Sequence, residues 1–325
     1  MQAVAVTAPA RLHLGFCDLN GELGRSFGSL GLAISGIATR VNLDPGQRRI
    51  SHQAHRESER VAKVVSQICQ HLEIAEPPHI EIEYAIPAHA GLGSGTQLAL
   101  ALGTCIAAAH GKTLLTADIA RITGRGKRSG IGLSVFDQGG FVVDLGRGAR
   151  TSLPPQLCQI PFPESWPVVV LSEAHNTGIS GAQELEAFEE LSPMCRGVAA
   201  EISHHLLMGV IPGLKEQDFE AFARSLNFIQ RSVGEYFAPV QGGNRFTSDA
   251  VGTVAANIQQ RWPAVCIGQS SWGPTGFVMC PDAKNAKDIE NAFIAGELNA
   301  VPTVKLSVHH GWNRGAIIDT GYAAN

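Results

Sequence analysis

Residues 87–96 read Pro87-Ala88-His89-Ala90-Gly91-Leu92-Gly93-Ser94-Gly95-Thr96, and this stretch decides what kind of protein the chain encodes. The preceding residues 79–86 alternate apolar and polar side chains, as a half-buried strand does. An apolar run that predicts a helix follows from about residue 96 to residue 110. Glycines between a strand and a helix let backbone N–H groups approach an anion, and the helix N-terminus adds its positive dipole end. A phosphorylated small molecule is therefore expected to bind Gly91, Gly93, Ser94, Gly95 and Thr96.

This loop differs from the two commonest nucleotide-binding loops. It contains no Gly-Lys-Ser or Gly-Lys-Thr, so it is not the phosphate loop of the P-loop NTPases. It also lacks the Gly-x-Gly-x-x-Gly run, and the acidic residue about twenty positions later, that mark a dinucleotide-binding fold. The loop is therefore expected to bind phosphate groups differently from both of these nucleotide-binding loops.

Composition narrows the class of protein. Hydrophobic residues make up 44% and charged residues 17% of the 325 residues, which excludes a disordered chain. The net charge of −4 gives no overall attraction to nucleic acid or to an anionic membrane. Residues 98–109 are too short an apolar run to span a bilayer, and the 7 cysteines, with no Cys-x-x-Cys pair, fit a reducing compartment. We expect a cytoplasmic protein with small-molecule partners and neither nucleic acid nor membrane among them.

Proline content and periodicity predict two lobes. Five prolines crowd residues 151–167, as in a connection between domains. We therefore place an N-terminal domain with the phosphate-binding loop at residues 1–160 and a C-terminal domain at residues 161–325. The pattern further predicts strands over residues 3–8 (ended by Pro9), 11–16, 30–34, 139–144, 166–171, 265–270, 275–280 and 304–309, and helices over residues 57–72, 116–123, 182–210, 218–236 and 283–295.

Three motifs in order along the chain resemble those of a known superfamily. Pro87-x3-Gly91-Leu92-Gly93-Ser94 is similar to the second motif of the GHMP kinases, the superfamily of galactokinase and mevalonate kinase. The opening Ala8-Pro9-Ala10-Arg11-Leu12-His13-Leu14-Gly15 resembles their first motif, and Gly268-Gln269-Ser270-Ser271-Trp272-Gly273-Pro274-Thr275-Gly276 stands where their third motif falls. The resemblance implies an α/β fold of the two-lobe α+β type: a GHMP-kinase-like fold with an N-terminal lobe like domain 2 of ribosomal protein S5, a ferredoxin-like C-terminal lobe and a cleft between them.

The same motifs also depart from the kinases. Those enzymes usually read Gly-Leu-Gly-Ser-Ser-Ala, with the second serine a magnesium ligand, where this chain has Gly95 and Thr96 in place of Ser-Ala. Bulky Trp272 and rigid Pro274 stand in the third motif. Together with Arg125-Gly-Lys-Arg-Ser-Gly-Ile-Gly132 and Phe136-x2-Gly139-Gly140-Phe141, these departures resemble the β-ribofuranosylaminobenzene 5′-phosphate (β-RFA-P) synthases, a GHMP-fold family of methanopterin biosynthesis.

This second resemblance implies a pentosyltransferase. Such a synthase couples phosphoribosyl pyrophosphate to 4-aminobenzoate, or in some members to 4-hydroxybenzoate, and releases carbon dioxide and pyrophosphate with the help of Mg²⁺. The product is a C-riboside, and the family implies a homodimer. Two alternatives stay open: an ATP-dependent GHMP kinase for a small molecule, and a non-catalytic protein that binds a phosphorylated metabolite.

Two basic segments are candidates for holding the substrate's phosphates. Arg125, Lys127, Arg128 and Ser129 are interleaved with glycines that allow close backbone approach, which favours phosphate contact over a solvated turn. Arg25 and Ser26, in a glycine-rich stretch nearer the N-terminus, are either a second clamp or part of a surface loop.

Two aspartates are candidates for magnesium binding. Asp137-Gln138 resembles the Asp-Gln at the catalytic aspartate of galactokinase-type sites. Asp137 would bind Mg²⁺ or stabilise positive charge at the ribosyl carbon, with Gln138 beside it at the substrate, or it caps a turn. Asp18 is the second candidate magnesium ligand, although Asp18-Leu19-Asn20-Gly21 is equally good turn chemistry.

The first and third motifs supply the remaining candidates. Arg11 and His13 alternate with leucines, so both point the same way from their strand. The resemblance directs Arg11 and His13 into the cleft as catalytic groups that hold a carboxylate or phosphate, with a structural role for His13 as the alternative. Trp272 either stacks on the aromatic acid or packs in a hinge. The polar candidates in the third motif are Gln269, Ser270, Ser271 and Thr275.

Overall fold

The computed structural model describes residues 1–45, 58–173, 187–188 and 190–321, and it contains two antiparallel sheets covered by helices. The strands are β1 (Val4–Asp18), β2 (Arg25–Leu43), β3 (Glu81–Tyr84), β4 (Phe141–Asp144), β5 (Arg147–Gly148), β6 (Gln156–Ile160), β7 (Val168–Glu173), β8 (Cys266–Gln269), β9 (Gly276–Met279), β10 (Val304–His309) and β11 (Ile317–Thr320). The helices are α1 (Ser58–His71), α2 (Ser94–Ala109), α3 (Thr116–Ile122), α4 (Ile131–Gln138), α5 (Arg196–His205), α6 (Ile211–Glu216), α7 (Phe219–Phe237), α8 (Asp249–Arg261) and α9 (Ala283–Ile294).

The two sheets define two lobes, and the predicted α+β two-lobe architecture is confirmed. The first sheet has the order β11-β1-β2-β4-β6, with β3 and β5 paired to other parts of the long strand β2. The second sheet has the order β10-β7-β9-β8. Strand β6 ends the N-terminal run of the first sheet and β7 begins the second, while β11 returns to pair with β1. The end of the described chain therefore closes the edge of the N-terminal sheet.

Strand β1 is longer than its sequence predicts. The prediction that Pro9 ends the first strand was wrong, because β1 continues through Pro9 to Asp18 along β2. The register shifts between Pro9 and Ala10, and such a bulge accepts a residue that has no N–H to give to the ladder. The continuous strand carries the first motif from the part of β1 that pairs with β11 to the part that packs against α5 and α7.

The helix predicted over residues 182–210 is interrupted. Residues 182–186 lie outside the described residues, and residues 191–195 are not helical, so α5 begins only at Arg196. Pro193 accounts for the interruption, because proline has no N–H to donate and disfavours helical backbone in the residue before it. The next residue, Met194, is buried and donates its N–H to the carbonyl of Leu19.

An aromatic cluster holds the two lobes together. The ring of Phe222, on α7, is fully buried and lies 6.4 Å from the ring of Phe141 in the first sheet. It also lies 6.0 Å from Phe162 and 5.3 Å from Trp166, which stand in the connection to β7. Because these rings come from both lobes, their contacts fix the angle at which the lobes face each other.

Replacing the central ring of this cluster tests how much the cluster contributes to the free energy of unfolding. We expect Phe222→Ala to lower the free energy of unfolding by roughly 3–5 kcal/mol, because it removes a fully buried ring and leaves a cavity. Met208→Ala, at a side chain that is 69% exposed, is the control and should change it by less than about 0.5 kcal/mol. Urea unfolding measures both, and a loss below about 1 kcal/mol for Phe222→Ala would contradict the assigned packing.

Candidate functional site

The glycine-rich loop has the conformation that its sequence predicts. Gly91 and Gly93 both have a left-handed backbone, with φ of 78° and 82°. Gly93 is the N-cap of α2, and its carbonyl accepts hydrogen bonds from the N–H groups of Thr96 and Gln97, each at 3.1 Å. The free N–H groups of the first turn of α2 therefore face the end of the loop, where an anion binds favourably.

The first and third motifs close on this loop at Gly91. The buried hydroxyl of Ser270 donates to the Gly91 carbonyl at 2.7 Å and accepts from the His13 N–H at 2.9 Å. Arg11 donates from Nη1 to the same carbonyl. A Cβ at Gly91 would lie 2.9 Å from the Cα of Gly273, so the close approach requires glycine here. The structure thus brings Arg11, His13 and Ser270 together with the loop.

His13 is held as a neutral imidazole. Its side chain is buried, and that burial lowers its pKa well below 6.5, with the positive charges of Arg11 and Arg128 lowering it further. The ring Nδ1 accepts the N–H of Gly15 at 3.3 Å. This bond assigns the ring proton to Nε2, so His13 offers an N–H donor to an oxygen atom of a ligand.

Beside His13 lies a cavity of about 120 Å³ that opens partly to solvent. Much of its wall is aromatic, with the rings of Phe16, Phe188, Phe237, Phe246 and Trp272. Arg231 and Arg245 stand among the polar lining residues, and none of the described residues that line it is acidic. Such a cavity suits a flat aromatic ring that carries negative charge.

Trp272 packs within the protein, as one of its two predicted roles requires. Its ring centroid lies 4.7 Å from that of Phe188, with the planes 36° apart, and 4.7 Å from that of Phe237, with the planes at 81°. The indole is buried and also lines the cavity. Since protein rings occupy its surroundings, Trp272 shapes the cavity wall as a rigid part of the aromatic cluster.

Gln269 shapes the same wall through hydrogen bonds within the protein. Its Nε2 donates to Gln241 at 2.9 Å and to the Ser271 carbonyl at 2.8 Å, and its Oε1 accepts from the Thr247 N–H. The N–H of Gln269 donates to Oε1 of Gln230 at 2.9 Å. This last bond fixes the Gln230 amide so that its NH₂ group, a donor, is left for the cavity.

Ser271 and Thr275 take different positions. Ser271 lines the cavity with a left-handed backbone, and its N–H donates to the carbonyl of His13 at 3.3 Å. Thr275 is buried and does not line the cavity, and its hydroxyl has no hydrogen-bond partner.

The side chains of the basic segment, residues 125–129, lie in different places. Arg125 reaches the loop, with Nη1 3.1 Å from the position of a Cβ on Gly95. Arg128 lies 5.5 Å above the ring of Phe188 at the cavity. Lys127 is exposed, Ser129 donates to Asp144 at 3.4 Å, and neither of them lines the cavity.

Arg60 also reaches Gly95, and the sequence motifs give no sign of it. It lies on α1, 35 residues before Gly95, and its guanidinium group occupies the space that a Cβ on Gly95 would need. Only the packing of α1 against α2 brings it there. A basic residue on the polar side of a predicted helix is normally a solvated charge, so no local pattern separates Arg60 from its neighbours.

Arg25 and Ser26 begin strand β2 instead of lying in a loop. They pair with Gly148 and Arg147 of β5. The structure does not place them against Gly91 or in the lining of the cavity. Their predicted role as a phosphate clamp therefore has no support from this arrangement.

The predicted carboxylates lie on separate elements. Asp137 is exposed at the C-terminal end of α4, where it accepts from the Thr116 hydroxyl, and Gln138 accepts from Gln156 at 3.0 Å. Although the residue lies at the surface, the protein around its carboxyl group partly desolvates it and so raises the pKa of Asp137. Asp18 caps its own turn by accepting from the N–H groups of Asn20 and Gly21 at 2.6 and 3.1 Å. Among the described residues, no three His, Cys, Asp or Glu side chains converge as metal ligands.

Comparison with known proteins agrees with this geometry. Residues 59–143 match the GHMP kinases N terminal domain and residues 210–297 match the GHMP kinases C terminal domain. β-Ribofuranosylphenol 5′-phosphate synthase of Methanothermobacter thermautotrophicus is 34% identical over 245 residues, which cover 69% of this chain and 74% of the relative. The protein of the same name from Archaeoglobus fulgidus is 31% identical over 87% of this chain and 89% of its own. The chain belongs to the β-ribofuranosylphenol 5′-phosphate synthase family.

The fold of this synthase family is that of the GHMP kinases. The crystal structure of homoserine kinase from Cytophaga hutchinsonii matches this chain with a TM-score of 0.66 at 16% identity, covering 98% of each chain. That likeness is one of fold. The name of the synthase family describes an enzyme that makes a ribofuranosyl phosphate compound. Within the described ranges, no helix is both long and apolar enough to cross a membrane.

The bridging hydroxyl of Ser270 can be tested by its removal. We expect Ser270→Ala to lower the free energy of unfolding by roughly 1–3 kcal/mol, because the buried His13 N–H loses its acceptor. The matched control is Thr275→Val, which removes a buried hydroxyl that has no partner and should be neutral or slightly stabilising. Urea unfolding of both variants checks this, and equal losses would contradict the assigned role of Ser270.

The neutral state of His13 predicts a pH dependence of stability. Below pH 6.5 the histidine of the unfolded chain takes up a proton that the folded protein excludes, so the free energy of unfolding should fall as pH falls. The contribution of His13 is about 1.4 kcal/mol per pH unit below that value. Unfolding at several pH values between 5 and 7 should give a steeper slope for the wild type than for His13→Gln, and equal slopes would contradict a neutral His13.

Proposed function

We propose that this protein transfers the ribosyl 5-phosphate group of phosphoribosyl pyrophosphate to the ring of 4-hydroxybenzoate, with release of carbon dioxide and pyrophosphate. The observation that carries the proposal is an aromatic cavity, with no acidic side chain among its described lining residues, that meets the glycine-rich loop at one buried residue, His13. A donor with several phosphate charges and an aromatic acid acceptor match these two halves of the site.

The donor half is built for phosphate. The left-handed glycines of the loop and the first turn of α2 present backbone N–H groups, and guanidinium groups provide charge-assisted hydrogen bonds. Arg11 and Arg128 both lie close enough to His13 to lower its pKa. They therefore stand where the loop and the cavity meet, which is where the ribosyl carbon and its leaving group must lie.

The acceptor half is built for an aromatic anion. A carboxylate in this cavity meets no acidic side chain of the described lining, and it finds positive charge from Arg231 and Arg245. The N–H groups of His13 and Gln230 are donors, which suit the oxygen atoms of a hydroxybenzoate better than an amino group, itself mainly a donor. The phenol in the name of the relatives gives independent support to the hydroxy acid as acceptor.

The proposed reaction balances without a general base. The bond from ribosyl C1 to pyrophosphate breaks, and its electron pair leaves with the pyrophosphate. The ring carbon that bears the carboxylate supplies the electron pair of the new carbon–carbon bond. The bond from that ring carbon to the carboxylate then breaks and returns its pair to the ring as carbon dioxide departs. No proton leaves the ring carbon, which agrees with a cavity that has no carboxylate base among its described lining residues.

The chain's own groups therefore act by positioning and by charge. The cavity holds the ring against the ribosyl carbon, and holding two reactants in one geometry supplies a large part of such an acceleration. Positive side chains at the loop stabilise the negative charge that develops on the leaving pyrophosphate. His13, as a neutral donor, adds no positive charge beside the cationic ribosyl carbon.

Magnesium, the homodimer, the cytoplasmic location and the methanopterin pathway belong to this proposal as further expectations. A magnesium ion in such a site is carried chiefly by the substrate's pyrophosphate oxygens and needs only one or two protein carboxylates. Since Asp18 accepts hydrogen bonds within its own turn and Asp137 accepts one from Thr116, no step of the proposed reaction is assigned to a magnesium ion held by them.

The proposal is tested with purified protein, Mg²⁺, phosphoribosyl pyrophosphate and carboxyl-labelled 4-hydroxybenzoate. We expect labelled carbon dioxide and pyrophosphate to appear in equal amounts and only when both substrates are present. Carboxyl-labelled 4-aminobenzoate, run in parallel, should react more slowly. ATP with 4-hydroxybenzoate is the control for kinase activity and should give no product. Absence of carbon dioxide release from both acids would refute the proposal, and ATP-dependent phosphorylation would support the kinase alternative.

A further inference from the structure

Two guanidinium groups converge on one glycine of the phosphate-binding loop. The Nη2 of Arg60 occupies the space that a Cβ on Gly95 would fill, and the Nη1 of Arg125 lies 3.1 Å from the same point. The two arginines come from different parts of the chain, Arg60 from α1 and Arg125 from the segment after α3. Glycine at position 95 is therefore what allows both groups to lie over the first turn of α2.

We propose that Arg60 and Arg125 bind the pyrophosphate group of the donor, and that Gly95 is the residue that admits them. This inference rests on the proposed function and adds to it the identity of the side chains that bind the pyrophosphate leaving group. Two planar guanidinium groups provide paired donors for phosphate oxygens, and the backbone N–H groups at the start of α2 provide more. Together they match the most highly charged group of the donor.

The position of the pair also assigns a direction to the bound donor. Gly91, at one end of the loop, is bonded to Ser270 and Arg11 beside His13, while Gly95 lies four residues further on, within α2. The pyrophosphate then extends from the ribosyl carbon along the loop toward Gly95. Negative charge that develops when the carbon–oxygen bond breaks is delivered to two fixed positive groups, which stabilises the transition state.

The pair also explains what a larger side chain at position 95 would do. An alanine or serine Cβ would displace the Arg60 guanidinium group, since the two would occupy the same space. The backbone of the loop at Gly95 is not left-handed, so a side chain is excluded there by the arginine and not by backbone strain. A substitution at Gly95 therefore acts on Arg60 without forcing a change in the backbone.

Isothermal titration calorimetry with inorganic pyrophosphate tests the inference directly. We expect Arg60→Gln to weaken pyrophosphate binding roughly 10- to 100-fold, the effect of losing one charged hydrogen-bonding group. Arg60→Lys should recover part of that loss, since it restores the charge without the paired donors. Lys63→Gln is the matched control, because Lys63 lies on the same helix, is exposed and carries the same charge. It should change the affinity by less than about 2-fold.

Three further arms separate this role from a merely structural one. Binding of 4-hydroxybenzoate and of ribose 5-phosphate should be unchanged in Arg60→Gln, because neither carries the pyrophosphate. Gly95→Ala should weaken pyrophosphate binding as Arg60→Gln does, and it keeps the test open if Arg60→Gln fails to fold. In turnover, Arg60→Gln should raise the KM for phosphoribosyl pyrophosphate and lower kcat, with the KM for 4-hydroxybenzoate unchanged.

The inference is overturned if Arg60→Gln binds pyrophosphate as the wild type or Lys63→Gln does. It is equally overturned if the loss falls on ribose 5-phosphate and not on pyrophosphate. Arg60-dependent binding of pyrophosphate by a wild-type protein that releases no carbon dioxide would refute the proposed function and leave this inference standing. Carbon dioxide release that does not depend on Arg60 would refute this inference and leave the proposed function standing.

Discussion

The hydrogen bonds of one buried hydroxyl hold the site together. Ser270 donates to the carbonyl of Gly91 and accepts the N–H of His13, so a loop of the C-terminal lobe is fastened to both motifs of the N-terminal lobe. Gly91 has no side chain, which lets the backbone of residues 270–273 approach it closely. Without this contact the phosphate-binding loop and the aromatic cavity would be two separate features on two lobes.

The Ser270 contact also determines which charged side chains face the cleft. Arginines gather at the loop and the cavity mouth, while Asp144 is buried and held by the N–H groups of Ser29, Gly130 and Gly146. Asp144 thus fixes the backbone that carries the basic segment instead of facing the substrate. His13, buried between arginines, is kept neutral. A cleft with these charges attracts anions and repels metal ions that do not arrive with a phosphate.

Much of this arrangement was predictable from sequence, and the limits have physical causes. The strand–loop–helix unit around residues 91–96 follows from local patterns, because glycine and helix start signals act over a few residues. The meeting of the three motifs was implied by their resemblance to those of the GHMP kinases. The continuation of β1 past Pro9 was not predictable in this way, since it depends on a bulge against β2. The same holds for the position of Asp137. Gly132, near the start of α4, accepts a hydrogen bond from Gln97 of α2 at 2.8 Å, whereas Asp137 lies at the C-terminal end of α4 and accepts from Thr116.

Arg60 and the residues of the cavity wall are the clearest examples of site residues that the sequence could not predict. Arg60 reaches Gly95 only through the packing of α1 on α2, and Gln230 and Phe237 line the cavity from α7, far from any motif. Pairwise contacts between distant segments leave no mark in a single sequence. The motifs could locate the centre of the cleft, and only the three-dimensional arrangement could identify the residues around it.

The most direct test of the central claim, that both substrates meet in one cleft, is the bond that they form. Phosphoribosyl pyrophosphate labelled with ¹³C at ribosyl C1 and 4-hydroxybenzoate labelled with ¹³C at the ring carbon bearing the carboxylate would be incubated with the protein and Mg²⁺. The account predicts a product whose two labelled carbons show one-bond carbon–carbon coupling in the NMR spectrum. Uncoupled labels, from hydrolysed donor and intact acid or from a riboside joined through oxygen, would contradict it.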